Sequence, residues 1–465
     1  MILTRSTLDS NRMATSTLML KLSDLLNRPP LAIELLPGDG SEWFTAETPP
    51  EAAQHAPFLF VDGHLGVPQK AAYKAYLESI TIFRRCRTRL SRATSLSTSR
   101  RESQSLEAND LQDLLASSAV LLLANPAHQS ALNARCRLVQ LGALDAAHQL
   151  KFVTALLTLR DGAKQSILWH HRRWLLRHSL PEHTDKTGHQ SATGSSHSQD
   201  RADSLLGIPL DASAFSAEFA AAAQACEIYP RNYYAWTHRY LCAEALSILL
   251  EQYSADSQDR KAGLTDVWKE ERARIREWID RHISDYSAMQ YACRFESLGR
   301  KLRRELEWSD SPCEPPEKDE RPAGEHAWQL VQAFPTHESL WLYLRGALFL
   351  HLTGSETHDT ETEPSGRMLK ETKAFAERFL SDENGVGIVS SVSPGERALV
   401  KNHAVRFLSW VLWQERKISM DGETVRRVAA VAEGALVADL RVYLRSGQVS
   451  HRRPSPGFAK PIDDV

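Results

Sequence analysis

Tyr229-Pro-Arg-Asn-Tyr-Tyr-Ala-Trp236-Thr-His-Arg239-Tyr240 decides the fold, because four other segments follow its template. They are Asn125-Pro-Ala-His-Gln-Ser-Ala-Leu132-Asn-Ala-Arg135, Lys164-Gln-Ser-Ile-Leu-Trp169-His-His-Arg172-Arg173-Trp174, Asp285-Tyr-Ser-Ala-Met-Gln-Tyr291-Ala-Cys-Arg294-Phe295 and Phe334-Pro-Thr-His-Glu-Ser-Leu-Trp341-Leu-Tyr-Leu-Arg345. Aligned on the large residue, one column reads Leu132, Trp169, Trp236, Tyr291, Trp341. Three positions later stand Arg135, Arg172, Arg239, Arg294 and Leu344, the last Arg having slipped to Arg345. The fourth and seventh positions add Cys136/Val139, Arg173/Leu176, Tyr240/Ala243, Phe295/Leu298 and Arg345/Leu348. Recurrence at i, i+3, i+4 and i+7 is one face of an amphipathic helix.

A second helical pattern precedes each core, as in Leu111 to Ala124 and Phe215 to Ile228, and stops near Asn125-Pro126, Tyr229-Pro230 and Phe334-Pro335. Proline disfavours helix in the residue before it and so separates the two helices of a pair. Ser130, Ser166 and Ser339 stand where a hydroxyl is expected to cap the second helix. Helical hairpins repeated in series cannot bury their stripes singly and must stack, so the fold expected is all-α, an alpha-alpha superhelix of hairpin repeats.

The domains expected are 1–104, an N-terminal segment of mixed or irregular structure; 105–350, five hairpin repeats with a low-complexity insert at 181–203; 351–420, a loop insert and capping helices; and 421–465, a terminal helix and tail. Further inserts of solvated composition fall at 309–325, 354–365 and 381–393. In the N-terminal segment Leu31 to Pro37 and Phe58 to Val61 have the apolar runs of strands, and Ala71 to Leu90 is helical in pattern.

Of 465 residues, 42% are apolar and 25% charged, a composition able to bury a core. Net charge is −2, from 56 basic and 58 acidic residues, so no overall field favours nucleic acid or an anionic membrane. The densest basic run, Arg84, Arg85, Arg87, Arg89 and Arg92, spreads around a helix and is expected to be solvated. Cys86, Cys136, Cys226, Cys242, Cys293 and Cys313 form no CxxC pair, which suits buried free thiols in a reducing compartment. Arg5, Asp9 and Arg12 interrupt the N-terminus, and no apolar run approaches the ~20 residues that span a bilayer. A cytoplasmic protein without stable membrane insertion is expected. The C-terminal Pro461-Ile-Asp-Asp-Val465 has no prenylation box, so the chain is not expected to be lipid-modified itself.

The five cores resemble the repeat of protein prenyltransferase α-subunits, whose signature is close to Pro-x-Asn-Tyr-x-x-Trp-x-x-Arg-Arg. The resemblance covers about residues 110 to 350, with Trp169-His-His-Arg-Arg-Trp174 and Pro230-Arg-Asn-Tyr-Tyr-Ala-Trp236-Thr-His-Arg239 the best copies. Within the family, the loose first and fourth copies and the long N-terminal lead are most like a divergent repeat-containing subgroup. The resemblance implies one chain of a heterodimer, wrapping a separate β-subunit that carries zinc, the isoprenoid pocket and most of the peptide site. It implies geranylgeranyl transfer from a prenyl diphosphate to a protein substrate with a C-terminal cysteine, and no cofactor in this chain.

In the resembled family a Lys five residues before the repeat Trp reaches the diphosphate leaving group, and repeat register places that position at Lys164. Displacement at the prenyl carbon drives negative charge onto the bridging oxygen, which a pre-placed ammonium stabilises. Register also places Asn232, Tyr233 and Tyr234 on the prenyl-diphosphate side, while Ser166 stands where the family has Tyr, and Tyr234 where farnesylating members often have His. Trp169, Arg172, Trp236, Arg239 and Trp341 are expected to build the repeat core, the Arg reaching carbonyls at the end of the preceding helix. His170 and His171 point ~100° apart on a helix and cannot share an ion, so no metal site is expected. No HExxH, Walker-type or GxSxG motif supplies a self-sufficient active site. The competing reading is a non-catalytic helical-repeat adaptor or scaffold in vesicle trafficking.

Overall fold

The computed structural model describes residues 17–44, 53–96, 108–179, 204–252, 258–306, 323–354, 364–379 and 393–418. The residues read above at 181–203, 309–322, 355–363, 381–392 and 421–465 lie outside these, as do Arg5, Asp9, Arg12 and Cys313. The chain divides into two compact units, 1–275 with 294–312, and 276–293 with 313–465.

In the first unit α1 (Leu18–Leu26) and α2 (Gln69–Leu96) pack on α3 (Ala108–Ala124). Between α1 and α2 lies a small sheet of β1 (Ala32–Leu36), β2 (Leu59–Val61) and β3 (His64–Pro68), in the order β1-β3-β2. β1 runs parallel to β3, and β2 antiparallel to it. Asp62 (φ 49°) and Gly63 (φ 79°) make the two-residue turn between β2 and β3, where both positions need positive φ.

Helical hairpins follow, as the repeat predicts. α3 pairs with α4 (Gln129–Gln140), α5 (Ala146–Leu157) with α7 (Ser166–His178), and α8 (Ala212–Ile228) with α9 (Tyr233–Gln252). The one-turn α6 (Arg160–Ala163) joins α5 to α7. Trp268 of α10 (Gln258–Arg281) stacks on Phe295 of α11 (Tyr286–Leu306), with ring centroids 4.1 Å apart. In the second unit α12 (Ala323–Ala333) pairs with α13 (Glu338–Gly354), and α14 (Pro364–Arg378) with α15 (Pro394–Ile418). Trp341, Phe375 and Phe407 share the core between those two pairs.

α3, α8 and α12 each end two residues before a proline, at Ala124, Ile228 and Ala333. The serine caps are not made. α4, α7 and α13 begin at Gln129, Ser166 and Glu338, which puts all three serines inside the first turn. His128 caps α4 by accepting from Ala131 N, Gln165 precedes α7 without a side-chain bond, and Ser339 Oγ donates instead to the Ile283 carbonyl.

Candidate functional site

A buried indole has one donor to satisfy. Trp169 Nε1 donates to the Ala163 carbonyl at 2.9 Å and Trp341 Nε1 to the Pro335 carbonyl at 2.8 Å, each six residues back. The ring thereby ties the second helix of a hairpin to the turn that enters it. Trp169, Trp236 and Trp341 are all buried.

The arginine column stitches neighbouring hairpins together. Arg172 grips Glu218 with Nε at 2.5 Å and Nη2 at 2.7 Å, and Arg239 grips Glu271 at 2.7 and 2.9 Å. Arg135 reaches Gln149 at 2.8 Å, together with the Ser118 hydroxyl and the Leu115 carbonyl. Gln149, Glu218 and Glu271 lie on α5, α8 and α10, the helix that follows in each case. Arg135 does reach a carbonyl of the preceding helix, but at Leu115 in the middle of α3 and not at its end, whereas Arg172 and Arg239 fork onto carboxylates that the next helix presents.

Two residues after Trp169 and Trp236, His171 and His238 face the same partners. His238 Nε2 lies 2.8 Å from Glu218 Oε2, and His171 Nε2 lies 3.4 Å from Gln149 Nε2, with Nδ1 3.2 Å from Cys136 Sγ. Burial pushes both imidazoles down, His171 to about 3, so both are neutral at pH 7. Burial alone would raise Glu218, but Arg172 and His238 outweigh it and hold the carboxyl at about 2. Arg135, facing an amide in place of a carboxylate, is pulled down to about 9 by burial.

Glu218, His238 and Cys242 bring a carboxylate oxygen, an imidazole nitrogen and a sulfur within 4.8 Å of one another. They fit an ion poorly. Both Glu218 oxygens already bond Arg172, whose buried guanidinium would oppose a second cation, and burial holds the Cys242 thiol well above its ordinary value. His170 is exposed while His171 is buried, so that adjacent pair points apart.

The turn before Trp169 has a different character. A Cβ on Gly162 would meet the Leu156 carbonyl oxygen at 2.0 Å, so α6 folds this closely onto the end of α5 because glycine stands there. The buried Ala163 carbonyl then accepts two bonds, from Trp169 Nε1 and, at 2.7 Å, from Asn232 Nδ2. Lys164 follows, its side chain 43% exposed and its ammonium 2.6 Å from the exposed Asp161 carboxylate.

Asn232 is fully buried, with Oδ1 accepting from Ala235 N to cap α9 and Nδ2 crossing to Ala163. Its side chain is committed at both ends, so it acts as a strut between turns. Tyr233 and Tyr234 are exposed, with ring centroids 5.7 Å apart at 78°. Lys164 and Tyr233 immediately follow the two residues joined by the Asn232–Ala163 bond, so the turns that carry these two exposed residues lie together along one edge of the first unit. Ser166 is exposed beside them, and the Arg160 guanidinium lies 5.8 Å over the Tyr229 ring. This edge can meet an anion.

Cys86, Cys136 and Cys242 offer no activated thiol. Cys86, Cys226 and Cys242 are buried, and burial raises Cys86 and takes Cys136 to about 11. In the basic run, Arg85 pairs with Asp113 and Arg89 with Asp110, so part of it serves the contact between α2 and α3. Among the described residues no helix is long and apolar enough to cross a membrane.

Sequence reasoning missed Gln149, Glu218 and Glu271. The signal was available: Glu218 falls between Phe215 and Phe219, and Glu271 between Trp268 and Ile275, at helical spacing within an apolar stripe. An acid there must be buried and must have a cation.

Comparison with known proteins points to the family that the five segments resemble. Residues 215–246, which run from α8 into α9 and include Glu218, Asn232, Trp236 and Arg239, match the protein prenyltransferase alpha subunit repeat. The chain is similar to Protein prenyltransferase alpha subunit repeat-containing protein 1 of Danio rerio, 26% identical over 305 residues, which is 60% of this chain and 64% of that protein. The Homo sapiens protein of the same name is 25% identical over 288 residues, 55% of this chain and 63% of that one. Protein 1-B of Xenopus laevis is 24% identical over 265 residues, 50% of this chain and 54% of that one. The chain thus spans less than two thirds of the length of these relatives.

Proposed function

We propose that this chain is the α-subunit of a heterodimeric, cytoplasmic protein prenyltransferase that transfers a geranylgeranyl group to a C-terminal protein cysteine, with Lys164 meeting the diphosphate leaving group. The observation that carries the reading is the construction of the Lys164 turn. A lysine at the family's position, five residues before the repeat tryptophan, stands exposed while the carbonyl just before it is clamped by Trp169 and Asn232. Positioning the ammonium in advance lets it stabilise charge without reorganising during the reaction.

In the step proposed, the cysteine sulfur forms a bond to the prenyl C1 while the C1–O bond breaks. The electron pair leaves on the diphosphate oxygen, where the Lys164 ammonium stabilises it. Tyr233, exposed on the adjoining turn, would offer a phenolic donor to the diphosphate. Zinc, held by the β-subunit, would supply a thiolate at neutral pH; this chain's part is charge and position. The β-subunit would seat on the edge that carries Lys164, Tyr233 and Tyr234.

Co-expression with the prenyltransferase β-subunits of its host tests the reading. A one-to-one complex in sedimentation, zinc in the complex and transfer of labelled geranylgeranyl to a Cys-terminal protein are expected. A complex that transfers neither geranylgeranyl nor farnesyl would leave the adaptor reading, which the serine at position 166 favours, in its place.

A further inference from the structure

We infer that the small N-terminal sheet is a positioning element for Lys164, acting through a hydrogen bond between the Ile33 backbone and the Thr158 side chain. Ile33 N donates to Thr158 Oγ1 at 2.9 Å, and Ile33 is buried where β1 packs on α5. Thr158 is the C-terminal cap of α5. From it the chain has six residues to Lys164, and they run with little slack. Leu159 N bonds Leu156 O, Ala163 N bonds Leu159 O, and Gly162 presses against the Leu156 carbonyl. The far end of the segment is held by Trp169 and Asn232 through the Ala163 carbonyl.

The segment 158–164 is thus pinned at one end by β1 and at the other by two repeats. β1 in turn is fixed by its parallel pairing with β3, which runs straight into α2. Releasing the Thr158 end frees one anchor of a turn whose displacement by ~1 Å is enough to cost about 10²-fold in rate when a reacting group rides on it. The catalytic consequence rests on the reading of Lys164 given above; the structural one does not.

Thr158→Val keeps the shape of the side chain and removes the hydroxyl, both as acceptor from Ile33 N and as donor to the Ala155 carbonyl at 2.7 Å, whereas Thr158→Ser keeps it. In the full chain, hydrogen exchange at the Ala163 and Gln165 amides should quicken about tenfold in Thr158→Val, which loses the part-buried bonds to Ile33 and Ala155. Exchange in α8 and α9 should not change, and Thr158→Ser should restore the wild-type rate. Thr158→Ala supplies the same contrast should the valine variant fold poorly. In the heterodimer, single-turnover transfer should fall about 10–100-fold in Thr158→Val but no further in a Lys164→Ala background, because both changes act on one group. Unchanged exchange at Ala163 and Gln165, or equal slowing with and without Lys164, overturns the inference. If Lys164→Ala alone leaves transfer unchanged, the catalytic reading falls while the exchange result still decides the positioning.

Discussion

At Glu218 a carboxylate, a guanidinium and an imidazole meet inside the first unit, with the Cys242 sulfur 3.6 Å from that imidazole. At Lys164 one ammonium stands in water beside one aspartate. By inventory the first resembles a reaction centre and the second an ordinary surface turn. The difference lies in what remains unsatisfied. Every Glu218 oxygen is already bonded, and the pair is buried beyond reach of a ligand. The Lys164 ammonium is held from behind by a fixed backbone and opposed in front by an exposed i,i+3 carboxylate, a contact that an anion can displace. Buried charge builds this fold, and exposed charge on a rigid turn stays open to an anion.

Removing one member of the buried pair should have the largest effect. Glu218→Ala leaves the Arg172 guanidinium buried without its carboxylate, and urea denaturation should show a loss of about 3–5 kcal/mol. A loss below ~1 kcal/mol would mean that water reaches the pair and screens it.

Acid should act on the same region in a defined window. The unfolded chain binds a proton at His171 near pH 6.5, and the folded chain refuses it until about 3. Stability is therefore complete above pH 6.5 and declines as pH falls toward 3, by about 2 kcal/mol between pH 7 and pH 5. His238 shifts in the same direction. Glu218 stays charged down to about 2, so its own contribution is lost only between its ordinary value and that pH. Urea midpoints across this range should move, and His171→Gln should flatten part of the slope.

On the exposed side the smallest effect is expected. Asp161→Asn removes the carboxylate that competes for Lys164, and inorganic diphosphate should bind the heterodimer about two- to threefold more tightly, the value of a surface ion pair. Weaker binding would show that Asp161 orients the ammonium and does not compete for it.

The hairpins were legible because periodicity and proline placement are local signals. Leu132, Trp169, Trp236, Tyr291 and Trp341 mark the second helices, and Pro126, Pro230 and Pro335 mark where the first ones stop. Partner choice was not legible, since Arg172 meets Glu218 at 46 residues' distance and Arg239 meets Glu271 at 32. Nothing in the arginine itself tells a carboxylate from a carbonyl. The burial of Asn232 was not legible for a related reason: its motif position is clear, but its burial depends on the neighbouring turn, 69 residues earlier. Asp62-Gly63 is a local signal for the hairpin between β2 and β3 that sequence reasoning missed, whereas the parallel pairing of β1 with β3 has no local signal.

Single-turnover prenyl transfer by the Lys164→Ala heterodimer tests the central claim most directly, with assembly and protein-substrate binding followed alongside. The account predicts unchanged assembly, unchanged substrate binding and a transfer step slower by about 10²–10³, with Arg at that position restoring only part of the rate. A transfer rate equal to wild type, in a variant that assembles normally, would contradict it and return Lys164 to the solvated surface.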